Sequence, residues 1–302
     1  MRGRHAPSPT GRLHLGNART ALLAWLQVRA AHGQLVMRVE DVDSGRCRLE
    51  HEARMLTDLR WLGLDWDEGP DVGGPYGPYR QSERSEHYTE SLARLETYPC
   101  TCTRRELREA TPAGREPIYP GTCRTGVTHP ERPAATRWAI PPGDVVVTDL
   151  VYGELRQNVA TQAGDLVLRR TDRDWTYQLA VVVDDAAMAI THVLRGADLL
   201  DSTPRQVLLH RTLGHDPPAF AHVPLILGPD GIKLSKRHQA PDLSTLREGG
   251  ADPTRVVALL AQSLGLLAPH HHRIHPEELT PDFDITRITP HSDTPLDLTR
   301  LR

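Results

Sequence analysis

Lysine is almost missing from this chain of 302 residues. Of 36 basic residues only Lys233 and Lys236 are lysines, and both stand in Gly231-Ile232-Lys233-Leu234-Ser235-Lys236-Arg237. A coding bias toward arginine explains the scarcity but not why both survivors share one loop. The physical reading is that arginine cannot substitute there. An ammonium is a compact point charge that follows a moving phosphate, whereas a guanidinium is a planar fork. Long apolar runs are missing too. No stretch could span a bilayer, and Met1-Arg2-Gly3-Arg4-His5 lacks the apolar centre of a signal peptide. A membrane is therefore excluded as partner, and a cytoplasmic protein is expected. There is no excess of positive charge, because the net charge is -3 and the pI about 6.6. A nucleic-acid partner would have to meet a local arginine patch rather than the bulk charge. Cysteine is sparse at four, and three of these, Cys100, Cys102 and Cys123, cluster while Cys47 stands apart. An intracellular chain rarely uses disulfides, so the cluster points to a metal.

The periodicity describes an α/β protein. Pro7 to Gly16 is an irregular, turn-rich segment. A helix is predicted from about Asn17 to His32, then a short apolar strand Leu35–Val39. Loop, helix and strand in this order open an α/β nucleotide-binding unit. Further helices are predicted over 50–62 and 83–95. Strands are expected at 145–147, 166–168 and 190–194. A helix capped by Thr203, with Pro204 in its first turn and Gly214 as its stop, follows. A strand at 223–227 leads into the lysine loop, and a last helix covers 253–264. The tail from His270 onward is rich in His and Pro and irregular. Between Tyr98 and about Arg132 the composition changes, with the cysteine cluster, many prolines and no long apolar run. Such an insert needs something other than a core to hold it.

Three constellations carry chemistry. His14-Leu15-Gly16-Asn17 stands just before a helix. The imidazole can donate to a phosphate, Gly16 lets a nucleotide approach the backbone, and the helix start offers unpaired amides to an anion. The second is the lysine loop itself. The third is Cys100-x-Cys102 with Cys123. Three thiolates are good zinc ligands and a fourth group closes the tetrahedron. Chemistry alone leaves that fourth group open between His129 and Tyr119.

Arg4-His5-Ala6-Pro7-Ser8-Pro9-Thr10-Gly11 and Arg38-Val39-Glu40-Asp41-Val42-Asp43, joined to these motifs, resemble the glutamyl-tRNA synthetases of class I. His14 to Asn17 resembles their His-hydrophobic-Gly-His motif, with Asn in the last place. Lys233 to Arg237 resembles their Lys-Met-Ser-Lys-Ser loop, with Leu and Arg at two places. The likeness runs in order from residue 4 to about 265. It implies a Rossmann-like catalytic domain with a parallel sheet. Residues 1–97 would form its first half and 98–132 a zinc-binding insert. Residues 133–240 would hold an acceptor-type insert, the second half and the lysine loop. Residues 241–302 would be a short helical part without an anticodon-binding domain.

The resemblance also implies roles. Arg4 would grip the side-chain carboxylate of glutamate, with Ser8, Glu40, Tyr177 and Arg195 completing that pocket and Glu40 facing the α-ammonium. Pro7, His14, Gly16, Asn17, Lys233, Ser235 and Lys236 would hold ATP, which would carry Mg²⁺ on its phosphates with no protein ligand assigned, and His14, Lys233 and Lys236 would stabilise the charge that develops on the phosphates. Tyr119 is favoured as the fourth zinc ligand by the spacing of the family's shortened paralogues. Those paralogues transfer glutamate to queuosine in tRNA(Asp), and a complete, monomeric enzyme of that kind is the expectation. A minimal enzyme charging a tRNA 3′ end, an inactive glutamate- or RNA-binding paralogue, and a small nucleotidyltransferase of the same fold are the alternatives.

Overall fold

The structure is a computed structural model and describes residues 1–109, 111, 117–227, 241–290 and 296. Its centre is a six-stranded sheet. The strands are β1 (Arg2–His5), β2 (Gln34–Met37), β5 (Asp144–Asp149), β6 (Gly153–Asn158), β8 (His192–Gly196) and β9 (Ala219–Val223). Their order is β2-β1-β8-β9-β5-β6, parallel throughout except for the β5–β6 hairpin. A smaller antiparallel sheet joins β3 (Thr97–Cys100), β4 (Ala135–Trp138) and β7 (Leu166–Arg169). The segment holding the cysteines leaves β3 and returns at β4.

Alternation along the parallel strands divides the core between the two faces of the sheet. Leu35, Met37, Leu194 and Ala221 join one apolar cluster, and Val36, Val193 and Phe220 join the other. On the first face lie α1 (Leu15–Ala30), α2 (Leu49–Trp61), α8 (Leu243–Glu248) and α9 (Pro253–Gln262). On the second lie α3 (Ser85–Leu92), α6 (Tyr177–Ala187) and α7 (Thr203–Thr212). Of two short helices, α4 (Arg104–Glu109) buries none of its residues and α5 (Val159–Gln162) adds Val159 to the second cluster. A mostly parallel sheet covered on both faces is the doubly wound arrangement.

Helix α1 has no polar face. Its middle, Ala21 through Val28, is buried all round, because it runs between the sheet and α9. Gly3 permits the tight fit, since a Cβ there would meet Val28 Cγ2 at 2.5 Å. Proline-rich surroundings hid β1, which pairs in parallel with β2 across Arg4 and Val36. The strand expected at 223–227 lies four residues earlier, at Ala219–Val223, so Pro224 follows the strand instead of sitting within it. Thr203 does not cap α7. Ser202 stands at that position, and the Thr203 hydroxyl is engaged by Arg195. The predicted helix at 83–95 is shorter, running from Ser85 to Leu92 after a separate 3₁₀ turn at Gln81–Glu83. The helix expected over 253–264 ends at Gln262. Among the described residues no helix is long and apolar enough to cross a membrane.

Candidate active site

A cavity of about 550 Å³ opens where β1, β8 and β9 end. In an α/β sheet this is the place where loops at the carboxyl ends of strands diverge and leave a crevice. Here β1 stands between β2 and β8, so the chain winds away in opposite directions on its two sides. Arg4, Pro7, Ser8, His14, Gly16, Asn17, Glu40, Tyr177 and Arg195 all line this one cavity. Residues scattered over 190 positions of sequence thus share one wall system. Lys233, Ser235 and Lys236 lie outside the described residues. The segments that flank them do not. Leu225 and Ile226 line the cavity, and Asp242 pairs its backbone with His14 while Leu243 donates to the Leu13 carbonyl at 2.9 Å.

His14 is the N-cap of α1. Its Nδ1 accepts from the Asn17 amide at 3.2 Å, which leaves the proton of the neutral ring to Nε2. Gly16 does a job that the sequence did not reveal, because a Cβ there would come within 2.9 Å of the imidazole Nδ1 and Cε1. The glycine therefore seats the imidazole as well as opening the helix start. Arg19, one turn on, also lines the cavity and is buried. It donates to Ser263, just past the end of α9, and to the Pro224 carbonyl, tying α1 to the segment after β9.

The opposite wall is a chain of buried charges. Among the described residues the Arg4 side chain makes one hydrogen bond, from Nε to Asp185 Oδ1 at 3.4 Å. Asp185 is shared with Arg38, whose Nη1 reaches it at 2.6 Å and whose Nη2 reaches Glu40 at 3.1 Å. Asp184 beside it takes Arg84, Gln81 and Tyr88. Burial raises the Glu40 pKa despite the opposing pull of Arg38 and Arg4. Burial acts in the same direction on Asp185, but Arg38 and Arg4 outweigh it and hold that carboxyl below its ordinary value. Arg195 is buried, and burial lowers its pKa, with Arg4 adding a like charge. Arg4, Arg195 and Glu40 thus face a common space, which Arg12, Arg19 and Asp198 also line. That arrangement suits a ligand with two carboxylates and one ammonium. Sequence reasoning missed Arg38, Asp184 and Asp185; a buried Asp-Asp pair inside an otherwise apolar helix was the available signal.

The cysteine cluster forms a second centre. The Sγ atoms of Cys100, Cys102 and Cys123 lie within 4.8 Å of one another. The Tyr119 Oη stands 3.4 Å from Cys100 Sγ and accepts from the Cys123 amide at 2.8 Å. Burial works to raise the Cys123 pKa, but backbone amides of Thr101 and Thr128 with Tyr119 bring it down to about 6. Those donors favour a thiolate, the form that binds metal. His129 faces elsewhere, with Nδ1 3.3 Å from Glu131 Oε1. Arg137 covers the Tyr119 ring, 3.7 Å from its centroid.

The family model described as tRNA synthetases class I (E and Q), catalytic domain, matches residues 1–292. The chain belongs to this family and is a ligase of the class I synthetase type. It is 52% identical over 303 aligned residues to a glutamyl-Q tRNA(Asp) synthetase of Symbiobacterium thermophilum, covering 95% of this chain and 93% of that protein. It is 53% identical to the protein of that name from Deinococcus radiodurans, over 87% of this chain and 88% of the other. Among solved structures, a glutamate-tRNA synthetase from Elizabethkingia anophelis superposes with a TM-score of 0.86 at 31% identity, covering all of this chain and 69% of that one.

Proposed function

We propose that this chain activates glutamate with ATP, without RNA, and then passes the glutamyl group to queuosine in tRNA(Asp). The observation that carries the first half is the meeting of Arg4, Arg195 and Glu40 in one cavity with the His14-capped start of α1. Support for the second half is the name, glutamyl-Q tRNA(Asp) synthetase, borne by relatives that share about half of its residues over nearly their whole length.

In this mechanism the glutamate side-chain carboxylate lies toward Arg4 and the Tyr177–Arg195 pair. Its α-ammonium lies toward Glu40, with Ser8 beside it. The α-carboxylate then attacks the α-phosphorus of ATP, and pyrophosphate leaves with Mg²⁺. His14 Nε2, the amides at Gly16 and Asn17, and Lys233, Ser235 and Lys236 stabilise the charge that spreads over the phosphates, while Pro7 shapes the turn beside them. Positioning and electrostatics supply the rate, because the protein forms no bond to the reactants. In the second step a hydroxyl of the cyclopentene-diol attacks the carbonyl of the adenylate and AMP leaves.

Residues 98–132 form, in this reading, an insert stapled by zinc on Cys100, Cys102, Tyr119 and Cys123. The metal's part is structural, replacing a core that the insert lacks. The catalytic domain has its first half in 1–97 and its second half, with an acceptor-type insert and the lysine loop, in 133–240; 241–302 is a short helical part whose α9 packs against α1. The test offers labelled glutamate with tRNA(Asp) bearing queuosine, the same tRNA without it, and tRNA(Glu). Transfer to the first alone is expected. Charging of tRNA(Glu) at its 3′ end would refute the acceptor assignment.

A further inference from the structure

Arg195 holds a positive charge in a dry place, yet among the described residues no carboxylate bonds it. Its Nε donates to His222 Nε2 at 3.0 Å. Nη1 donates to Tyr177 Oη at 3.1 Å and Gln206 Oε1 at 2.7 Å. Nη2 donates to Thr203 Oγ1 at 2.8 Å and to the Leu199 carbonyl at 3.5 Å. The Phe220 ring lies against the guanidinium, 5.1 Å away. A guanidinium only donates, so His222 Nε2 must be bare and the ring proton must sit on Nδ1. Nδ1 lies 2.7 Å from Asp149 Oδ2, and both side chains are 0% exposed. Asp149 is itself fixed by the amides of Val151, Tyr152 and His222. Carboxylate, imidazole, guanidinium and phenol thus stand in line, contributed by β5, β9, β8 and α6.

We propose that Asp149 and His222 are positioning residues for selection of the acidic amino acid. Asp149 sets the tautomer of His222. His222 then accepts from Arg195 and fixes its plane, and Arg195 in turn occupies a lone pair of Tyr177, whose own proton is left to the ligand carboxylate. The neutral imidazole between Asp149 and Arg195 matters electrostatically. A carboxylate paired directly with Arg195 would neutralise the charge that a ligand carboxylate must meet. Set one ring further back, Asp149 orients the guanidinium without cancelling it. Preorganised charge of this kind rejects a neutral amide, because glutamine would leave the site's donors poorly matched. Burial, with Arg195 and Arg4, keeps the His222 ring less basic than usual against the pull of Asp149, consistent with its service as an acceptor.

The inference rests on the glutamate pocket proposed above. Its test uses the full chain as wild type and as His222→Leu, His222→Gln and Asp149→Asn. Calorimetry measures glutamate and glutamine binding, pyrophosphate exchange gives separate KM values for glutamate and ATP, and thermal melts check folding. His222→Leu should raise the glutamate Kd and KM by roughly ten- to a hundredfold, as expected when a buried charged donor loses its acceptor. ATP KM should stay within about twofold, and the preference over glutamine should shrink, because only the amino-acid side is disturbed. His222→Gln should recover most of the loss, since an amide oxygen can take the place of Nε2. If a folded His222→Leu protein binds glutamate like wild type, the proposal is overturned. A parallel rise in both KM values without rescue by Gln also overturns it, leaving the pair as a strut between β5 and β9. Should the Leu variant not fold, Asp149→Asn decides: weaker glutamate at unchanged ATP supports the proposal, and unchanged glutamate sinks it. A wild-type chain that binds no glutamate refutes the pocket itself, a separate outcome.

Discussion

At the scale of single residues, the pocket is held by groups that cannot change charge without consequence. His5 is buried beside Arg4, and burial, with that neighbour's charge, lowers its pKa to about 3. His210 is lowered to about 4 by burial, against the pull of Asp185. Both folded-state values lie below that of an unfolded histidine. Stability from keeping these rings neutral is therefore complete above about pH 6.5 and is lost as pH falls toward 4 and 3. Each ring should contribute a slope of up to about 1.4 kcal/mol per pH unit in that window. His5→Phe should flatten the acid limb of the stability curve, measured by urea unfolding between pH 7.5 and 5. An unchanged slope would contradict the burial of a neutral His5. Asp185 is the opposite case, a carboxyl held ionised by Arg38 and Arg4. Asp185→Asn leaves Arg38 and Arg4 short of a buried partner and should cost about 3–5 kcal/mol of stability. Its glutamate KM should also rise, because the Arg4 side chain is disturbed at the one hydrogen bond that the described residues give it.

At the scale of elements, the start of α1 and the cysteine insert make separable predictions. Gly16→Ala places a methyl against the His14 ring. The ring must leave its cap, so ATP-dependent exchange should fall by about 10²–10³-fold, the range for losing one preorganised donor. The melting temperature should fall by only a few degrees, since the cap is one hydrogen bond. Cys123→Ser should abolish stoichiometric zinc, read by elemental analysis, and open residues 98–132 to protease. Glutamate-dependent exchange should survive, because the cysteine cluster lies outside the cavity. Full zinc in the variant would exclude Cys123 as a ligand.

Helices were legible where apolar spacing and end signals agreed, as for α2 and α9. The strand β1 was not, because four residues among Pro and Gly give no period to read. Its partners, not its own sequence, make it a strand. The predicted cap Thr203 shows another limit. A hydroxyl suited to a helix start was taken up by Arg195 instead, and only tertiary structure decides between those uses.

For the whole molecule, the cavity was legible as motifs and illegible as a machine. His14 and Gly16 could be read from their place before a helix, whereas Arg4 and Glu40 were legible only through the family resemblance, and all four line one cavity. Asp149 and His222 lie 73 positions apart on neighbouring strands, and nothing local marks either. The buried ladder of Arg38, Asp184 and Asp185 likewise exists only after β2 and α6 pack together. Folding brings Arg4, Glu40, Arg195 and the start of α1 to the ends of the same strands. In the proposed function that coincidence produces an adenylate. The direct measurement is ATP–pyrophosphate exchange by the purified chain with no RNA present, comparing glutamate, glutamine and aspartate. Exchange with glutamate alone is predicted. Exchange that requires tRNA, or that proceeds equally well with glutamine, would contradict it.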